Sequence, residues 1–147
     1  MYIPKTVFVD TNVFMDDLTR RSGSDSAKQL FELGVNGKLR ICLSSLSVAN
    51  IAYLVRKELS RERMMEVFRL YLRYFVIQDL SDMDVLRATK SDCPDFEDAL
   101  QISCAQKQPC IAIVTSNKKH FEPYTDMPVY TPDELLDKLT RRVKDSI

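Results

Sequence analysis

Five short apolar runs, each followed by a longer stretch of helical periodicity, constrain this chain more than any other feature. The runs fall at residues 7–9, 40–43, 76–78, 110–114 and 129–130, apolar but for Arg40 and Gln78 at the ends of two of them. Continuous apolar segments of this length, rich in Val and Ile, read as strands covered on both faces. Between them the spacing predicts helices over residues 13–18, 26–35, 44 or 45 to about 59, 61–74, 81–90, 95–106 and 131 to about 144. Local signals support several of these ends. Ser81 with Asp84, and Thr131 with Glu134 behind Pro132, have the spacing of capping boxes. Gly34 and Gly37 are expected to end the second helix, where left-handed backbone is useful. In the helix over 61–74, the stripe Met64, Met65, Phe68, Leu72 and Phe75 is expected to be core. Strands alternating with one or two helices imply a parallel sheet with right-handed crossovers. The expectation is a three-layer α/β/α fold with four to five central strands, as a single domain over 1–147.

Composition removes several function classes. A 147-residue chain with 45% hydrophobic residues suffices for one packed core. Lys plus Arg and Asp plus Glu both number 21, so bulk charge does not hold this chain to nucleic acid, although a local basic patch can. Cys42, Cys93, Cys104 and Cys110 form no C-x-x-C pair and His120 is the one histidine, which leaves almost no ligands for zinc. Cys42 and Cys110 are read as reduced core residues within strands. With Gly23, Gly34 and Gly37 as the only glycines, neither G-x-G-x-x-G nor a P-loop can be written. No apolar stretch approaches the ~20 residues of a membrane span. The start of the chain lacks the pattern of a signal peptide, so a cytoplasmic location is expected.

The predicted topology gathers polar residues at the carboxyl edge of the sheet, where ligands bind in open α/β folds. Asp10 ends the first strand, Asn50 lies early in the helix after the second, Asp95 and Asp98 open the helix before the fourth, and Asn117 follows the fourth. Two readings of Asp10 stand at this point: a cap for the next helix, or a carboxylate that holds a hard cation. Asp95 is likewise a cap or a ligand. Asp98 should begin to face the sheet, and a buried carboxylate there needs a cation, a partner or water. Asp10 and Asp98 as neighbours would repel, and Mg²⁺ or Mn²⁺ would relieve that repulsion. Glu97 is expected to be a surface residue.

Three segments together resemble the PIN (PilT N-terminus) domain: Val9-Asp10-Thr11-Asn12, the D-x-x-D-A-L of Asp95 to Leu100, and the V-T-x-N-K-x-x-F of Val114 to Phe121. Ser45 to Ile51 falls where that family carries its second acidic residue. The resemblance implies a metal-dependent ribonuclease acting on single-stranded RNA, in many members the toxin of a VapC-type toxin–antitoxin pair. It implies Asp10 and Asp98 as metal ligands, Asp95 as an added ligand or orienter, and Thr11, Asn12 and Thr115 as polar residues lining the site. Two departures lower the charge: Asn50 replaces the usual Glu, and Asn117 stands where many members have Asp, with His120 where others have an acidic residue. Asp16 or Asp17 either replaces that charge or, in the reading favoured by their place on the first helix, one is a solvated helix residue and the other a helix contact. Arg20, Arg21, Lys118, Lys119 and His120 lie on the acidic edge and are candidates to hold the RNA backbone; the other reading of each is a solvated loop residue. The resemblance also implies a homodimer and an antitoxin partner. A competing reading is a PIN-like module that binds RNA or protein with its chemistry weakened by Asn50 and Asn117. A third, phosphotransfer to Asp10, lacks the second Asp expected at position 12, which is Asn.

Overall fold

The computed structural model describes residues 5–21 and 23–145. The amino-terminal residues on which the signal-peptide expectation rests lie partly outside them. The elements run β1 (Thr6–Val9), α1 (Thr11–Leu18), α2 (Ser24–Val35), β2 (Arg40–Ser44), α3 (Ser45–Leu54), α4 (Arg61–Tyr74), β3 (Val76–Gln78), α5 (Asp82–Thr89), α6 (Phe96–Gln106), β4 (Ala112–Val114), two short 3₁₀ turns (Lys118–His120 and Glu122–Tyr124), β5 (Val129–Tyr130) and α7 (Pro132–Asp145). All strand pairs are parallel and the sheet order is β3-β2-β1-β4-β5. The expected parallel three-layer α/β/α architecture is the one observed.

Pleating sends alternate residues of the central strands to opposite faces. Val7, Val9, Ile41, Leu43, Ala112 and Val114 pack with α1, α2, α4 and α7. Phe8, Cys42 and Ile113 pack with α6 and with Phe121 and Val129. The first face carries an aromatic cluster in which Phe14 stacks on Phe31 at 4.8 Å and tilts against Tyr71 at 5.1 Å. Such pairs add about 0.5–1.5 kcal/mol each beyond the area they bury.

Several boundaries differ from expectation for identifiable reasons. α2 starts two residues early because Gly23, at φ +91°, supplies the left-handed turn just before it. Gly37, at φ +74°, does the same after it, but Gly34 is helical. A Cβ on Gly34 would lie 2.7 Å from the Ile41 side chain and 2.9 Å from the Phe75 ring, so close helix–sheet packing, not a turn, requires glycine there. α3 stops at Leu54, where the chain folds into a turn around buried Val55, whose carbonyl accepts from the Glu58 and Leu59 N–H groups. β4 begins at Ala112, which leaves Cys110 half-buried ahead of it, while Cys42 is fully buried within β2. On α4 the buried stripe is rotated: Val67 and Tyr71 face the core, with Met64, Phe68 and Phe75 partly buried, and Leu72 is 68% exposed.

Candidate active site

The order in which strands are added reverses about β1: β2 and β3 lie on one side, β4 and β5 on the other. Crevices at such switch points, outside the carboxyl ends of the strands, are where open α/β sheets bind ligands. Asp10 follows β1 there, and its N–H donates to the Val114 carbonyl at the end of β4 (2.9 Å). A cleft of about 230 Å³ opens at this point, lined by Asp10, Thr11, Asn12, Asn50, Tyr53, Leu54, Glu97, Asp98 and Gln101. Five residues singled out from the sequence thus share one cavity: Asp10, Thr11, Asn12, Asn50 and Asp98.

Asp10 occupies the position before α1 without forming a side-chain cap. Its carboxylate is 4% exposed and accepts from the Thr115 hydroxyl at 3.0 Å. Burial first, and then the charge of Asp98, push its pKa up to about 7; the Thr115 hydroxyl and the N–H groups of Thr11 and Asn12 pull the other way without balancing them. Asp98 sits in the first turn of α6, its N–H capped by the Asp95 carboxylate at 3.0 Å. Its pKa is pushed up to about 6, by burial first and by Asp95 and Glu97, while His120 pulls it down from 3.5 Å. Two carboxylates that resist ionisation in one cleft leave an unmet demand for positive charge. Among the described residues no three or more His, Cys, Asp or Glu side chains converge on a metal position. One or two carboxylates with water and a substrate phosphate are what Mg²⁺ commonly takes, so the Asp10–Asp98 pair fits such an ion.

Beneath the cleft lies a polar network that the sequence alone does not reveal. Gln101, 3% exposed and one helical turn beyond Asp98, donates to Thr11 Oγ1 (3.0 Å) and to Ser47 Oγ (2.8 Å) and accepts from Ser44 Oγ. Thr11 and Ser47 also bond to each other at 2.8 Å. The amide is therefore fully used, and it joins the starts of α1 and α3 to α6. The one signal in the sequence is the place of Gln101 at i+3 from Asp98, a polar residue within an otherwise apolar and small-residue helix face. Glu97, expected at the surface, is exposed but borders the cleft, as do Tyr53 and Leu54.

The other expected site residues lie elsewhere. Thr115 is fully buried, so it reaches the cleft only through Asp10. The Asp95 carboxylate caps α6 and lines a neighbouring cavity instead of the cleft. Asn117 is exposed, outside the cleft, and its N–H donates to Thr115 Oγ1 at 3.0 Å. Lys118 turns to Glu134 of α7 at 3.2 Å, a pairing that its sequence neighbourhood does not reveal, and to Glu122, four residues on, at 3.8 Å. Arg20, at φ +53°, lines a separate groove with Asp17, Lys28 and Arg63, because the chain after α1 turns away toward α2 and α4. Asp16 is buried and accepts from the Ser116 hydroxyl at 2.6 Å, and neither it nor Asp17 lines the cleft.

The PIN domain family matches residues 6–119. Among solved structures, the chain is similar to one from the crystal structure of VapBC2 from Rickettsia felis bound to a DNA fragment from its promoter (20% identity, TM-score 0.66, covering 84% of this chain and 96% of that one). It is similar to a chain of a toxin–antitoxin complex from Klebsiella pneumoniae (23%, TM-score 0.62, 86% and 97%) and to one from DNA-bound VapBC of Salmonella typhimurium (17%, TM-score 0.66, 87% and 98%). At these identities the likeness is one of fold. No curated protein matches the sequence.

Proposed function

This chain belongs to the PIN domain family, and on that premise we propose that it is a metal-dependent endoribonuclease that hydrolyses phosphodiester bonds of single-stranded RNA. The observation that carries this reading is the pair of carboxylates, Asp10 and Asp98, sharing one cleft at the switch point, each held toward its protonated form. Asp10 and Asp98 would hold Mg²⁺ or Mn²⁺, which when bound supplies an acidified water and positive charge for the leaving oxygen. The chain's own residues do the rest. Thr115 fixes the Asp10 carboxylate by its hydroxyl. Asp95 orients Asp98 by capping its turn of α6. Thr11, Asn12 and Asn50 line the cleft as polar contacts for the RNA phosphate.

The biological role we propose is the toxin of a toxin–antitoxin pair, acting in the cytoplasm as a homodimer with a cognate antitoxin. This extends the likeness to the Klebsiella pneumoniae toxin–antitoxin complex. Among the described residues no helix is long and apolar enough to cross a membrane.

The test is RNA cleavage in Mn²⁺ by the wild type, Asp10→Asn and Asp98→Asn, with circular dichroism as the check on folding. Cleavage by the wild type alone is expected; undiminished cleavage by both variants would reject this pair as the metal site. A second reading rests on Asn50, an amide in the cleft that offers oxygen without charge. If calorimetry detects no Mn²⁺ binding at millimolar metal, the chain is a module that binds RNA or protein without cutting.

A further inference from the structure

Asp98 borders a second cavity, also about 230 Å³, whose remaining wall is Cys93, Pro94, Asp95, Lys119, His120 and Tyr124. The two cavities differ in chemistry. The cleft at Asp10 is mainly polar, whereas this one is lined almost entirely by apolar atoms. Its walls are held from several sides. The Cys93 thiol reaches the carbonyls of Asp95 (3.4 Å) and His120 (3.9 Å), which ties the loop before α6 to the first 3₁₀ turn. Fully buried Phe121 anchors that turn, and its carbonyl accepts from the Tyr124 N–H at 2.9 Å. His120 Nδ1 lies 3.5 Å from Asp98 Oδ2, so one imidazole marks the boundary between the two cavities.

We propose that this cavity is a nucleobase subsite, which takes the base of a nucleotide flanking the phosphate held at Asp10 and Asp98. The proposal rests on the nuclease reading above. A phosphate and its own base are linked within one nucleotide, and a shared wall residue puts the two cavities within that reach. A base offers two apolar faces and a polar edge. The cavity offers two aromatic side chains, His120 and Tyr124, for a face, with Cys93, Pro94 and Asp95 completing the wall. Lys119 on the same wall is a cation for the adjoining phosphate. The apolar lining disfavours a second phosphate, and the small volume excludes a partner's helix, which is ~10 Å across. A stacked duplex cannot put a base there, so the subsite favours single strands.

The test uses short single-stranded RNAs with the base removed, one position at a time, on either side of the bond the wild type cuts. One abasic position is expected to raise KM about tenfold, the size of a lost base–aromatic stack, with kcat changed less than about twofold. Tyr124→Ala should raise KM about tenfold on intact RNA and add nothing further on that abasic RNA, while Tyr124→Phe should keep wild-type values. Equal cleavage of abasic and intact RNA overturns the subsite, and so do Tyr124→Ala and abasic penalties that multiply. The abasic arm uses the wild type alone, so it decides the matter even if a variant fails to fold. A wild type that cuts no RNA at all overturns the nuclease reading and this one with it; cleavage without an abasic effect overturns only this one.

Discussion

Two buried aspartates in this molecule have opposite electrostatics. Asp84 lies between α5 and α6 with no exposed surface. It accepts from the Ser81 N–H (2.9 Å) and hydroxyl, from the Ser103 hydroxyl (3.0 Å) and from the Lys107 ammonium, with Arg87 at 3.5 Å. Burial alone would raise its pKa, but these donors hold it below the usual carboxylate range. Asp10 is buried almost as deeply, has one hydroxyl donor and a like charge nearby, and its pKa is pushed up to about 7. A buried charge with its partners built in belongs to the fold; one left short of partners faces a ligand. Asp84 and Asp10 are therefore expected to respond oppositely to the same substitution.

The largest expected effect is on chemistry. Asp10→Asn should lower RNA cleavage in Mn²⁺ by about a thousandfold or more, while Asp84→Asn should leave the rate per folded molecule unchanged. Stability should move the other way. In chelator at pH 8, Asp10→Asn removes a desolvated charge and is expected to stabilise by roughly 2–4 kcal/mol, since each tenfold change in proton affinity corresponds to ~1.4 kcal/mol. Asp84→Asn leaves Lys107 without its counter-charge and should cost about 3 kcal/mol. Urea unfolding of the three proteins checks both signs; a destabilised Asp10→Asn would erase the distinction drawn here.

The same contrast has a pH signature. A carboxyl whose folded pKa exceeds its unfolded value binds protons on folding, so its contribution to stability falls as pH rises. For Asp10 that window runs from about 4 to about 7. Asp84, with a lowered folded pKa, contributes stability above its unfolded pKa and loses it as pH falls through the folded value. The wild type minus Asp10→Asn stability difference, measured without metal, should become more unfavourable from pH 4 to 7 by roughly 2–4 kcal/mol. Mn²⁺ affinity should weaken as pH falls through 7 to 6, because protons then compete for Asp10 and Asp98.

Asp84 is legible in the sequence through the capping-box spacing from Ser81, a purely local signal. Asp10 is legible through an abrupt end to an apolar run, and alternation alone suffices to put Asp10, Asn50 and Asp98 at one edge. What stays hidden are partners brought together by the fold. Lys118 follows strand four and is expected to face the site, yet its charge is taken by Glu134 of α7. Arg20 is expected there because it is near strand one, yet the chain turns away after α1. Leu72 fits helical spacing as well as Tyr71 does, and only the docking angle of α4 on the sheet decides which is buried. Gln101 stands out in its helix but cannot be assigned, since its three hydroxyl partners come from two other segments, the starts of α1 and α3.

Gln101 therefore tests how far the cleft depends on what lies beneath it. Gln101→Leu keeps the bulk and removes the amide, which leaves the Thr11, Ser44 and Ser47 hydroxyls to re-pair among themselves. The expected cost is about 1–3 kcal/mol in stability and a loss of about tenfold in kcat/KM, since Thr11 follows Asp10 directly and lines the cleft. Comparing Mn²⁺ affinity separates positioning from general loosening: a positioning role lowers cleavage while metal binding stays within about threefold, whereas a collapse of the cleft lowers both.

The smallest effect expected comes from adding charge where Asn50 stands. Asn50→Glu adds a carboxylate to a cleft that already holds Asp10 and Asp98, both short of partners, with Glu97 at its border. Without metal this should deepen the repulsion, raise the Asp10 pKa further and lower stability at pH 8 by about 1 kcal/mol, an ordinary size for a charge–charge contact near a surface. With metal the sign reverses, and Mn²⁺ should bind about tenfold more tightly, because each added carboxylate counts toward the ion and not against its neighbours. The variant would thus move Asp10 further from Asp84 in the apo protein and closer to it in the loaded one. Titration by calorimetry with unfolding in chelator reads both arms. Tighter metal binding with no apo cost would place the added carboxylate outside the field of Asp10, and an apo cost with no gain in affinity would place the ion away from α3.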